Sequence, residues 1–110
     1  MTRTSLLILM IALIISCSAG RSYDRVAKIN DIGIECLKNK MYQDAVFWFE
    51  KTLEIDSSNE AALNNLGICY EALGQYKEAM KYYDKAYSIS GNSIIKANID
   101  SLNETLENEL

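Results

Sequence analysis

The chain has 110 residues, enough for one small domain, with 11 basic and 15 acidic residues and a net charge of −4. This acidic balance, without a basic stripe, argues against nucleic acid as a partner, because such binding depends on neutralising phosphates. The sequence contains no histidine, which is the commonest general base and metal ligand. It also shows neither a glycine-rich phosphate loop nor a nucleophile elbow. We therefore expect no enzyme activity, no catalytic or metal-binding residues and no cofactor.

Residues 1–16 have the pattern of a targeting segment. Arg3 lies in a short polar start, and an unbroken apolar run follows from Leu6 to Ile15. As a helix this run is about 15 Å long at 1.5 Å per residue, half of the roughly 30 Å core of a bilayer. The length favours the core of a signal peptide over a membrane span.

The end of this segment, IISC, resembles the lipobox of bacterial lipoprotein signal peptides. The resemblance implies that Cys17 becomes the N-terminus and carries a diacylglycerol thioether, usually with a third, amide-linked chain. Two or more chains give stable anchoring. The resemblance to a lipobox thus predicts a lipid anchor in the bacterial cell envelope. The anchor would lie at the periplasmic side of the outer membrane or at the outer face of the plasma membrane. Residues 17–23 would form a short tether. The alternative is an ordinary signal peptide and a secreted or signal-anchored protein.

The predicted domain, residues 24–110, repeats with a period of 34 residues. Identical pairs at this spacing are Ala27/Ala61, Asn30/Asn64, Gly33/Gly67, Ile34/Ile68, Tyr42/Tyr76, Ala45/Ala79, Lys51/Lys85 and Ile55/Ile89. A fixed period of this size is typical of a helical repeat array. We predict repeats at about residues 26–59 and 60–93, followed by a polar-backed capping helix at 93–107.

Each repeat predicts two helices joined by a short turn, because apolar residues recur at three- and four-residue steps. In the first repeat the predicted helices are Asp24–Lys38, with Ser22 as N-cap, and Tyr42–Ile55. A capping box of Ser57 and Glu60 is expected to open the third helix, and the fourth is expected to end near Ser90.

Gly33 and Gly67 lie in the middle of predicted helices. A glycine there costs about 1 kcal/mol relative to alanine, so both positions need a packing reason. We predict that each glycine, with Ala45 or Ala79 on the following helix, lets two helices cross closely beside an aromatic ring, Phe49 or Tyr83.

These features together resemble the tetratricopeptide repeat family. The second copy meets the family's spacing with Leu63, Leu66, Gly67, Tyr70, Gly74, Ala79, Tyr83 and Ala86, and the first with Ile29, Ile32, Gly33, Ala45 and Phe49. The chain departs at Cys36 and Thr52, where the family prefers an aromatic residue and alanine. The resemblance implies an all-α, helix-turn-helix solenoid with two repeats and a C-terminal capping helix, after an N-terminal signal helix.

In this family, ligands lie in a concave groove lined by the first helix of each repeat. Carried onto this chain, the groove candidates are Asn30, Ile34, Leu37, Lys38, Asn64, Asn65, Ile68, Glu71 and Ala72. Side-chain amides suit an extended peptide because they both donate and accept hydrogen bonds; the alternative is that the asparagines are merely solvated. No carboxylate clamp is expected, since Asn30 and Ile34 replace a clamp lysine and its neighbour.

Two further groups of residues leave alternatives open. Phe47 and Trp48 lie on the second helix, with Phe47 at an outward position, so it packs on a neighbouring side chain or contacts a partner, a second copy or the membrane. Cys36 and Cys69 are expected to be buried thiols, with a disulfide as the alternative.

The sequence therefore predicts an envelope-anchored lipoprotein that acts as a protein-interaction or assembly scaffold module, binding another protein or peptide in its groove. The alternative is a structural envelope protein that associates with itself as a homo-oligomer.

Overall fold

The computed structural model describes residues 2–110, which form five α-helices in succession and, within that range, no strand. The helices are α1 (Arg3–Lys38), α2 (Tyr42–Ile55), α3 (Glu60–Ala72), α4 (Tyr76–Ser90) and α5 (Ser93–Asn108). Each helix packs against the next one in the chain. The predicted all-α repeat fold is therefore confirmed.

The short loops make neighbouring helices antiparallel, so the array has two ends. We call the basal end the one where α1 residues 19–26 lie beside Ile55 and Asp56. The loop between α4 and α5 is also there, since Asn92 Nδ2 donates to Glu60 Oε1 at 3.5 Å. We call the opposite side the apical end. It brings the loop at residues 39–41 close to Leu73.

Both mid-helix glycines lie against an aromatic ring of the next helix, as predicted. A Cβ added to Gly33 would lie 2.7 Å from the ring of Phe49, and one on Gly67 would meet the ring of Tyr83 more closely still. Both rings are buried. The missing Cβ atoms are therefore what allows α1 to pack on α2, and α3 on α4.

The interior consists of two adjoining cores, one on each side of α3. The first core is formed by the buried residues Ala45, Phe49, Ala62, Leu66 and Cys69. The second core is formed by Leu63, Ala79, Tyr83, Ala86, Ile95, Ile99 and Leu102. Because α5 supplies three members of the second core, it closes the end of the array.

The predicted signal helix and the first helix of the repeats are continuous. Helix α1 runs from Arg3 to Lys38, because residues 17–23, expected as a tether, are also helical. No proline interrupts the segment, and Gly20 has open space around it. Nothing there opposes continued backbone hydrogen bonding. Helix α1 is long and apolar enough to cross a membrane. The same is true of a signal sequence near an N-terminus.

The N-cap of α3 also differs from the prediction. Asn59, not Ser57, is the N-cap, and its Oδ1 accepts a hydrogen bond from the backbone N–H of Ala62 at 2.9 Å. Asn59 Nδ2 in turn donates to Asp56 at 3.2 Å. This second bond links the capping residue to the end of α2.

The two apical turns share one backbone conformation but differ in sequence. Lys40 has φ 59° and Gly74, which occupies the same repeat position, has φ 73°. Left-handed backbone suits glycine because it has no Cβ. A lysine at the first turn therefore carries strain that the second turn avoids.

Candidate functional site

Asparagines occupy one repeat position on all three first helices, α1, α3 and α5. Asn98 Nδ2 donates to Asn64 Oδ1 at 3.1 Å across these helices. Asn30 has a buried Oδ1 with no hydrogen-bond partner among residues 2–110. A buried acceptor without a donor costs free energy. Asn30 is therefore the groove candidate whose hydrogen bonding is incomplete.

Asn98 is a further candidate at the same repeat position, which the sequence prediction did not include. It lies 34 residues after Asn64, so the repeat period itself was the signal. Asp100 and Ser101, however, occupy the positions where a large apolar residue and a glycine are expected. These two departures from the repeat pattern made the equivalence of Asn98 and Asn64 hard to recognise. Helix α5 is thus placed as the first helix of a third, incomplete repeat.

The other groove candidates divide into packed and accessible residues. Ile34 and Leu37 pack against the first core, and Ile68 packs against the second. Lys38 is exposed at the end of α1, and Asn65 is half-buried on α3. Lys38 and Asn65 are therefore the polar groove candidates that remain accessible to a ligand on these helices.

Glu71 has an internal partner. The hydroxyl of Tyr83 donates to Glu71 Oε2 at 2.6 Å. Burial and, to a smaller extent, this hydrogen bond raise the pKa of Tyr83 above its ordinary value. The bond ties α4 to α3, so Glu71, a predicted groove residue, has a structural role within the repeat.

On α2, Phe47 and Trp48 form an aromatic pair in which Phe47 is exposed and Trp48 is half-buried. Phe47 is 50% exposed, as its outward repeat position predicts, and its ring meets Trp48 edge to face at 5.2 Å. Lys51 Nζ lies 5.5 Å from the centre of the Phe47 ring. Phe47 thus packs on a neighbour while leaving half of its surface to solvent.

The three cysteines are free thiols in different surroundings. Cys17 is exposed on α1, Cys36 is half-buried and Cys69 is buried in the first core. Burial, with a smaller contribution from Cys36, raises the pKa of Cys69 to about 11. Cys69 is therefore an uncharged, poorly reactive thiol near neutral pH.

The geometry defines the class first: an all-α solenoid of helical hairpins. The fold resembles the second tetratricopeptide domain of Spaghetti (RPAP3), which was solved bound to an HSP90 peptide. The TM-score is 0.75 at 21% identity, covering 83% of this chain and 85% of that chain.

Sequence comparisons show similarity over parts of the chain. Residues 60–93 match the family model of the tetratricopeptide repeat. The chain is 36% identical over 70 residues to anaphase-promoting complex subunit 6 of Arabidopsis thaliana, covering 59% of this chain and 13% of that protein. It is 33% identical over 66 residues to sperm-associated antigen 1 of Rattus norvegicus, covering 60% and 7%. The chain thus spans a small part of these relatives, and residues 60–93 are similar to one tetratricopeptide repeat.

Proposed function

We propose that this protein is a membrane-anchored docking module that binds another protein or peptide along its first helices. The observation that carries the proposal is the polar face of the first helices, where Lys38 on α1 and Asn65 on α3 are accessible beside the bonded amides of Asn64 and Asn98. Amides satisfy both the N–H and C=O groups of an extended peptide. The similar Spaghetti domain is bound to a peptide, which supports this use of the fold.

Photo-cross-linking tests the docking proposal. A photoreactive side chain at Asn65 is preferred to one at Asn64, because Asn64 is hydrogen-bonded to Asn98. Lys81, exposed on α4, is the control. We expect one adduct with a different protein from Asn65 and none from Lys81. Equal adducts from both positions would contradict docking along the first helices.

We further propose that the N-terminal segment holds the module on a membrane of the bacterial cell envelope, with Cys17 as the lipidation site. Its thiol is exposed and lies on α1 directly after the apolar run. Labelling with an alkyne fatty acid should mark the wild-type protein and leave Cys17→Ala unmarked. Equal labelling of both would exclude Cys17 as the acylated residue. A secreted form or an uncleaved signal anchor is then the alternative.

A second candidate function is self-association through Phe47 and Trp48. The half-exposed Phe47 ring favours it, because large aromatic side chains contribute strongly to interfaces. Light scattering of the full chain in detergent should then show a mass that rises with concentration, and Phe47→Lys should abolish the rise. A constant monomer mass would remove self-association.

A further inference from the structure

Exposed apolar side chains collect at the basal end of the array. Tyr23 is 80% exposed and Ile94 69%, while Ile89 and Ile55 are 46% and 40% exposed. Ile55 and Ile89 are helix-end residues at the same repeat position. At the apical end, Met41 in the first loop and Leu110 after α5 are the exposed large apolar residues.

The basal end is also where the apolar part of α1 leaves the array. The side chains of Leu6–Ile15 are exposed, and no charged residue lies between Arg3 and Arg21. This uncharged stretch is about 25 Å long at 1.5 Å per residue, close to the roughly 30 Å of a bilayer core. The distance between Arg3 and Arg21 along the helix therefore suits a placement of these residues at the two faces of a membrane.

A lipid on Cys17 would place the array similarly. As part of the same helix, Cys17 and Tyr23 are separated by about 9 Å along the axis. Acyl chains on Cys17 would thus bring Tyr23 close to the headgroups. Both modes of anchoring direct the same end of the array towards the lipid.

We propose that the basal end of the array lies on the membrane surface, with Tyr23, Ile55, Ile89 and Ile94 in contact with the lipid interface. Tyrosine is favoured at membrane interfaces, and covering exposed isoleucine surface is favourable. The inference rests on the proposed membrane anchoring and goes beyond it, because a flexible tether would leave the array free to tumble.

The contact would be apolar rather than electrostatic. At the basal end, Arg21 and Arg25 on α1 are accompanied by Asp24, Asp56 and Glu60, so no single sign of charge dominates. Salt screens interactions between exposed charges but leaves apolar contacts in place. The seating should therefore persist at high ionic strength.

This orientation would set the height of the groove. The helices would stand away from the membrane, and α3 has 13 residues, which is about 20 Å of helix. A peptide bound along α3 would lie within that distance of the lipid. The module would therefore select partners whose docking segments come close to the same membrane.

Quenching of tryptophan by brominated lipid tests the seating. The chain has one tryptophan, so Trp48→Phe gives a silent background for the full chain. Ile94→Trp reports on the basal end. Met41→Trp, at a position that is also exposed, reports on the apical end. Both are reconstituted with vesicles of phosphatidylethanolamine and phosphatidylglycerol, with and without brominated acyl chains, and flotation measures anchoring.

We expect both variants to float, Ile94→Trp to lose most of its emission to the brominated lipid, and Met41→Trp to keep its emission. The difference should survive high salt. If both variants float and Ile94→Trp is unquenched, the seating is wrong and the anchoring stands. If neither floats, the anchoring fails and the seating fails with it.

Discussion

At the scale of single residues, Gly67 marks the closest approach between two helices. A Cβ there would meet the buried ring of Tyr83, and Tyr83 is held by its hydrogen bond to Glu71 at 2.6 Å. Gly67→Ala gains about 1 kcal/mol in helix propensity, but overpacking costs about 1–3 kcal/mol. We expect a net loss of stability in urea unfolding of the full chain in detergent, followed by circular dichroism.

Gly20→Ala is the matched control, because Gly20 is helical and has nothing within 4 Å. It gains the helix propensity without the clash, so it should not be destabilised. Gly33→Ala meets the ring of Phe49 at 2.7 Å and should also lower stability. If Gly67→Ala unfolds at the same urea concentration as Gly20→Ala, the Tyr83 ring has room to move.

Cys69 gives the residue-scale prediction for pH. Its pKa is about 11 in the folded chain against 9.0 for a free thiol, so the unfolded chain loses this proton first as pH rises. The stabilising contribution is therefore complete below pH 9 and is lost as pH rises through 11. The difference in unfolding free energy between these pH values should be smaller in Cys69→Ala than in the wild type. An unchanged difference would mean that the thiol titrates as in the unfolded chain.

At the scale of elements, the apical turns provide an internal comparison. Lys40→Gly should stabilise the chain, because it places glycine at φ 59°, as in the second repeat. Residues with a Cβ pay about 1–2 kcal/mol in left-handed backbone, part of which is offset by the greater freedom of glycine in the unfolded chain. The gain should therefore be about 1 kcal/mol or less. The measurement is the midpoint of thermal unfolding.

The reciprocal change, Gly74→Lys, is the control and should lower the same midpoint, since it introduces the strained conformation at φ 73°. Equal and negligible shifts for both variants would show that the turns relax to other conformations.

The elements also show what the sequence could predict. The period of 34 residues predicted the repeat hairpins and the bounds of α2, because identical residues must occupy equivalent packing positions. The N-cap was not predictable, since Ser57 and Asn59 are both good capping residues. In the structure Asn59 caps α3 and is hydrogen-bonded to Asp56, a contact that depends on the path of the chain after α2.

Two other features, the helical conformation of residues 17–23 and the bond between Asn98 and Asn64, also could not be predicted from the sequence. The continuity of α1 was missed because processing motifs in residues 1–16 say nothing about whether residues 17–23 are helical. The bond between Asn98 and Asn64 was hidden because a capping helix keeps only part of the repeat pattern. Among the groove candidates, repeat position cannot show that Glu71 is bonded to Tyr83, because that contact joins two different helices.

At the scale of the whole molecule, stability depends on closing a short array. About three stacked repeats are usually needed for a stable array, and this chain has two hairpins and α5. Ile95, Ile99 and Leu102 from α5 are buried against α3 and α4. Without them the second core would face water on one side, so α5 stabilises both repeats rather than only the C-terminal end.

Leu102→Ala tests this dependence, because Leu102 has 0% exposure. Truncating a buried leucine costs about 2–5 kcal/mol, against about 5–15 kcal/mol for the stability of a typical domain. We expect the urea midpoint of the whole helical signal to fall in one transition, because the two cores adjoin across α3. Asn103→Ala, at an exposed position on the same helix, is the control and should not lower the midpoint. A separate early transition in Leu102→Ala, with the remaining helices unfolding as in the wild type, would show that α5 caps the array without stabilising it.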